Sequence, residues 1–276
     1  MKFRLSTALT QLRHLLSLAP ARNTRARFPK ARNVVLDILA EGRRKNIIHI
    51  FFDADASAMR EQIARNAAQL GKTASITSYA AHTLARCVAA DPPMHAYRHK
   101  GHELIMFADV DLSIMIERDV ESMPLPLPYI VRAANNKNMV EVDEELKRAK
   151  IAPLYEDGPL SALEAQFFSL PRFLRKIVWY FARRDAHLFR ELAGTVGVTS
   201  IGMYATGRVL AVPITPMTLT LTIGAISPLP TVINGVLVER ESLQLTLSAD
   251  HDVIDGAPLL RFVTKLKASL EGSTGH

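Results

Sequence analysis

Near the C-terminus the alternating stretch LTLSAD runs into His251, and Asp255 and Gly256 follow four and five residues later in the pattern H-x-x-x-D-G. Histidine is the side chain whose ordinary pKa lies closest to working pH, yet at a strand end it reads first as a surface residue. Asp255 has a second use, because an aspartate before an amphipathic run, with Pro258 in the first turn, caps a helix. Gly256 lets the backbone turn tightly from strand into helix. Capping accounts for Asp255 and leaves His251 unexplained.

The elements that must hold these residues follow from hydrophobic periodicity. ARNVVLDILAEG reads as a short amphipathic helix and NIIHIFFDAD as a strand. Helices are expected over 57–70, stopped by Gly71, and over 75–89, stopped by DPP. Strands are expected at HELIMF, VDLSIMIE and PYIVRA, followed by a charged helix, VEVDEELKRAKIA. The C-terminal third reads as strands apart from one last helix after Asp255, in which Leu259, Val263, Leu266 and Leu270 share a face. Residues 209–238 contain no charged side chain and are long enough to span a bilayer. Pro213, Pro216, Pro228 and Pro230 break the stretch, however, and MTLTLTIGA alternates with period two, so these are strands joined by turns. Strands and helices mixed without βαβ regularity point to an α+β fold or a mixed-sheet sandwich. No internal repeat, Gly-rich phosphate loop of the GxxxxGK[ST] kind, GxSxG elbow or Cys/His metal spacing is present, so no metal is expected.

Composition narrows the function classes. The chain has 276 residues, 48% hydrophobic and 22% charged, as in an ordinary globular protein. Its single cysteine, Cys87, falls in an apolar helical pattern and reads as a small buried hydrophobe in a reducing, cytoplasmic setting. The net charge of +7 is not spread over a surface: eight of the 34 Lys and Arg residues lie within the first 32 positions, where there is no acid, leaving 26 against 27 acids. The basicity belongs to an arm, residues 1–29, and nucleic-acid binding loses its main support. Phe3, Leu5, Leu9, Leu12 and Leu16 roughly follow helical spacing in that arm. It reads first as a solvated or packing helix, with peripheral contact at the inner membrane face as the alternative. FFSLPRFLRKIVWYFARR likewise reads first as a helix packing on its own core or at a subunit contact, and second as a lipid-facing helix or a lid over an acyl chain.

LTLSADHDVIDGAPLLRFVTKLKASLE resembles the D-H-R-x-x-D-G-A signature of the catalytic domain of 2-oxoacid dehydrogenase acyltransferases and, more distantly, the H-H-x-x-x-D-G of chloramphenicol acetyltransferase. GTVGVTSIGM is similar to the same family's G-T-F-T-I-S-N-L-G-M, and weaker likeness extends the match over 30–272 as one catalytic domain. The resemblance implies a chloramphenicol acetyltransferase-like mixed-sheet sandwich with flanking helices. It implies an acyltransferase working on a coenzyme A thioester as co-substrate and an acceptor the sequence does not name, with no covalently bound cofactor. His251 would be the general base, since a thiol's pKa lies only about two units above that of imidazole. Thr199 would stand where the family places a serine hydroxyl against the oxyanion. Asp255 would hold the site together through an arginine near the start of the domain, for which Arg32 is the best match. A homotrimer or higher assembly is implied, with the base and the hydroxyl supplied by neighbouring subunits. Three departures stand out, one being that residues 159–192 are longer and more apolar than the family's usual connection. Asp252 replaces the family's arginine after the histidine, and the arm before residue 30 has neither a lipoylation-type hairpin nor an Ala/Pro linker, which suggests a stand-alone member without a lipoyl domain. The alternative is a catalytically inactive trimeric scaffold or regulator that uses the basic arm to bind a partner.

Overall fold

The structure, a computed structural model, describes residues 28, 32–120, 123–152, 170–202, 207–233 and 235–272. Apart from Phe28, the basic arm lies outside the described residues, as do Phe167 and Phe168 of the aromatic block.

The fold is α+β, a mixed sheet flanked by helices, as the sequence leads one to expect. Helix α1 (Arg32–Gly42) leads into β1 (Ile47–Asp55), and α2 (Ala56–Leu70) and α3 (Ile76–Ala89) follow. Asp55 caps α2 by accepting from the backbone N–H groups of Ser57 and Ala58, and Gly71 closes it in the left-handed region at φ 71°. HELIMF is a strand only over β3 (Glu103–Ile105), which pairs with β2 (Tyr97–His99) in a separate two-stranded hairpin. The main sheet continues with β4 (Leu112–Val120) and β5 (Met123–Val131), longer than the PYIVRA stretch that marks its end. Pro124, Pro126 and Pro128 within β5 are tolerated because β5 is an edge strand, with one side free of ladder partners among the described residues. Next come α4 (Met139–Ile151), α5 (Arg172–Ala182), α6 (Ala186–Ala193) and β6 (Val196–Ser200). The long strands β7 (Leu219–Ile233) and β8 (Val236–Asp250) and the last helix, α7 (Gly256–Leu270), complete the described chain.

The six strands lie in the order β1-β8-β7-β6-β4-β5, with β6 parallel to both its neighbours and the other pairs antiparallel. One face carries Val196, Val198, Leu219, Leu221, Leu245 and Leu247 into the main core with α2, α3, α4 and α7, whose Leu259, Val263, Leu266 and Leu270 are buried as their shared face requires. A smaller core gathers Tyr97, Phe107, Trp179, Phe189 and Met217, with Ile38 of α1 and Leu192 of α6 packed on it. The entry to β6 is fixed by Asp111, which is fully buried. Its carboxylate accepts from Arg190 Nε (2.8 Å), Arg132 Nη1 (3.0 Å) and Ala133 N (2.8 Å). Gly194 precedes β6 at φ +79°, where a Cβ would lie 2.9 Å from the Asp111 carbonyl oxygen.

Helix α5 settles the weighing of the aromatic block in a mixed way. Trp179 and Ala182 pack inward, as the first reading requires, while Phe173, Ile177, Tyr180 and Phe181 are exposed. Its inner face also carries Arg175, whose Nε donates to Asp37 of α1 at 2.5 Å with both side chains nearly buried. Among the described residues, no helix is long and apolar enough to cross a membrane.

Candidate active site

The turn from β8 to α7 is held on all sides. Asp250 is buried; its N–H donates to the Thr218 carbonyl (2.9 Å), and its own carbonyl accepts from Val253 N (3.0 Å) and Ile254 N (2.9 Å). Its carboxylate accepts from Lys45 Nζ (2.6 Å) and Asp252 N (3.2 Å). Asn46 fastens the outer side: its carbonyl accepts from His251 N (2.7 Å), and its amide donates to Asp252 Oδ1 (2.9 Å). Asp252, the departure from the family pattern, is therefore used to lock the turn to the segment before β1. The charged cluster RRKN at 43–46 is the one sequence signal for this clamp.

On that rigid turn the His251 side chain is 45% exposed, with Nδ1 3.5 Å from Asp255 Oδ1. A carboxylate there favours the tautomer with the proton on Nδ1, which leaves the Nε2 lone pair free to accept a proton from outside. Asp255 occupies the N-cap position of α7 in extended conformation, yet its side chain makes no capping hydrogen bond, which corrects the capping role read from the sequence. The carboxylate turns toward the imidazole instead. Gly256 needs correction too. It does not adopt positive φ, and a Cβ there would meet nothing within 4 Å, so backbone freedom is not its contribution. Arg32 lies at the start of α1 and forms no ion pair among the described residues, with Asp255 or any other acid. The acids of α1 are engaged instead by Arg175, on Asp37, and Arg183, on Glu41, partners 138 and 142 residues away that no local pattern announces.

Thr199 sits near the end of β6, opposite Thr222 of β7, half-buried, and its hydroxyl has no hydrogen-bond partner among the described residues. It does not meet His251 within the chain. Thr222 pairs in turn with Thr246, and His251 lies five residues beyond Thr246, just past the end of β8. Two strand spacings across and five residues along amount to roughly 15–20 Å.

Two cavities flank these residues. One, of about 160 Å³, is bordered by Thr199 and Gly197 and lies between α1, β4–β6 and segment 213–217. The other, of about 560 Å³, has Asp250 and Asp252 in its wall together with six cations: Arg44, Lys45, Arg98, Lys100, Arg183 and Arg184. Lys45, Arg183 and Arg44 pair with acids of the same wall, whereas Arg98, Lys100 and Arg184 have no carboxylate partner among the described residues.

Residues 182–275, which contain the His251 turn and Thr199, match the family model of the 2-oxoacid dehydrogenases acyltransferase (catalytic domain). Over these residues the chain is similar to that family. The dihydrolipoyllysine-residue acetyltransferase component of the pyruvate dehydrogenase complex of Rickettsia prowazekii is 25% identical over 163 residues, 59% of this chain and 32% of that protein. The dihydrolipoyllysine-residue succinyltransferase component of the 2-oxoglutarate dehydrogenase complex of Bartonella vinsonii is 23% identical over 261 residues, 91% of this chain and 54% of that protein. The chain thus spans between a third and about half of the length of these relatives. Among solved structures, the cubic core of the pyruvate dehydrogenase multienzyme complex superposes with a TM-score of 0.66 at 15% identity, covering 92% of this chain and 93% of that one. That likeness shows that this chain has the fold of such a core.

Proposed function

We propose that this protein transfers an acyl group between a coenzyme A thioester and a nucleophilic acceptor, with His251 as general base and Thr199 as oxyanion donor. The observation that carries the reading is the His251 imidazole, half-exposed on an immobilised turn with a carboxylate at its Nδ1 side. His251 Nε2 takes the proton of the acceptor as it adds to the thioester carbonyl. The tetrahedral oxyanion accepts a hydrogen bond from the Thr199 hydroxyl, which has no partner of its own among the described residues. When the intermediate collapses, the C–S bond breaks and the imidazolium returns the proton to the departing coenzyme A thiolate. Asp255 stabilises the imidazolium in between.

Arg98, Lys100 and Arg184 in the cavity beside the turn suit the phosphate groups of coenzyme A. The separation of His251 from Thr199 within one chain supports a site shared between copies in a homotrimer or larger assembly. The distal part of the β7–β8 hairpin, with Val232, Val236 and Leu237 exposed, offers apolar surface for such contacts. His251→Ala is expected to lower acyl-CoA turnover by about 10²- to 10⁴-fold without loss of fold. Mixed oligomers of His251→Ala and Thr199→Ala chains should recover activity above either parent. Normal turnover by His251→Ala would overturn the proposed base, and verified mixed oligomers no more active than the parents would overturn the shared site.

A further inference from the structure

The cavity at Thr199 has a chemical character that bears on which acyl group this site accepts. Its walls are Val35 and Leu39 of α1, Met115 of β4, Ile130 of β5, and Ile214 and Met217 of the segment before β7. Gly197 opens the floor, since a Cβ there would lie 2.6 Å from Thr220 Oγ1. The Thr215 and Thr220 hydroxyls in the wall bond to each other at 2.7 Å, whereas the Thr199 hydroxyl has no partner among the described residues. Among the described residues, no charged side chain lines the cavity. An acyl group ending in a carboxylate would bury its charge there without a counter-ion, an expensive placement. An acetyl group would leave most of the space empty. An apolar cavity of about 150 Å³ stays dry and holds a six-carbon molecule, and this one measures about 160 Å³.

We propose that the cavity is the acyl subsite and that it takes a neutral hydrocarbon chain of about six carbons, with the thioester carbonyl at the Thr199 hydroxyl. The assignment rests on Thr199 as the oxyanion donor of the proposed acyl transfer. Each buried methylene contributes about fourfold in affinity, equivalent to ~0.8 kcal/mol. From acetyl to hexanoyl, four added methylenes amount to about 10²-fold.

The test measures binding and turnover separately on the full chain. Calorimetry with acetyl-, butyryl-, hexanoyl-, octanoyl- and dodecanoyl-CoA on the His251→Ala protein reads affinity in the absence of catalysis, and kcat/KM on the intact protein reads the reaction. Affinity is expected to rise by about 10²-fold from acetyl to hexanoyl and then to level off. Met115→Trp, which fills the cavity, should weaken hexanoyl-CoA at least tenfold more than acetyl-CoA. Met115→Ala, which enlarges it, should move the plateau to longer chains and guards against a tryptophan variant that fails to fold. Equal affinity for acetyl- and hexanoyl-CoA, or a chain-length profile that ignores both Met115 variants in folded protein, would overturn the subsite and leave acyl transfer standing. Affinity that follows chain length and Met115 without any turnover would uphold the subsite and overturn the catalytic reading. Absence of binding by every acyl-CoA would overturn both.

Discussion

The two faces of the strands β6, β7 and β8 are both buried, but they are built from different chemistry. One face presents Val198, Leu221, Ile223, Leu243, Leu245 and Leu247 to the main core, where they pack on other apolar side chains. The other presents Thr199, Thr220, Thr222, Ser242, Gln244, Thr246 and Ser248, and all except Thr199 are less than 5% exposed. Some of these groups are paired: Thr220 with Thr215 (2.7 Å), Ser248 with His49 (2.8 Å), and the Gln244 amide with Ser227 (3.0 Å). Thr222 Oγ1, Ser242 Oγ, Gln244 Oε1 and Thr246 Oγ1 have no partner among the described residues. Stability resides on the first face. The second retains hydroxyls that a packed core would not select, and Thr199 and its cavity lie on that side.

Truncating the apolar face should have the largest effect. Leu245, 0% exposed, is expected to lose about 2–5 kcal/mol of stability as Leu245→Ala, read as a fall in denaturation midpoint. A loss below 1 kcal/mol would mean that this face is not the main support of the fold.

The second effect is a pH dependence centred on the smaller core. His95 is fully buried beside Phe107, and its pKa is lowered to about 4. Burial is the main cause, with Arg190 adding to it against the Phe107 backbone and Asp111. The folded state therefore refuses a proton that the unfolded chain accepts below pH 6.5. The stability His95 contributes is present above that value and is lost as pH falls from about 6.5 to about 4. His95→Gln should flatten denaturation free energy against pH across that window by up to ~1.4 kcal/mol per pH unit. His82 on α3, whose pKa burial also lowers, should keep part of the slope. An unchanged slope would show that His95 does not titrate as its burial implies.

The smallest effect should come from the polar face. Thr246→Val replaces a buried hydroxyl, unpartnered among the described residues, with a methyl group and should change stability by less than ~1 kcal/mol, in either direction. A loss as large as that of Leu245→Ala would show that Thr246 bonds to something essential, and the contrast between the faces would fail.

Periodicity and punctuation determined most of the elements, because both are local. The leucines of α7, the Gly71 stop of α2 and the alternation in LTLTIGA survive unchanged from sequence to structure. The motif around His251 was legible for the same reason, its residues lying within six positions of one another. Alternation could not reveal that the threonine side of β7 is buried, since period two reports which residues share a face and says nothing of what covers it. Nor could sequence assign partners. The clamp of Asn46 on Asp252, the pairing of Arg175 with Asp37 and the isolation of Arg32 join or separate residues through the sheet and across helices, over spans of up to 206 residues. Contacts at such range depend on strand order and helix docking. Asp255 shows the limit at short range: its sequence position marks the start of a helix, but only the folded turn, with His251 3.5 Å away, decided that its carboxylate would face the imidazole rather than the backbone N–H groups of α7.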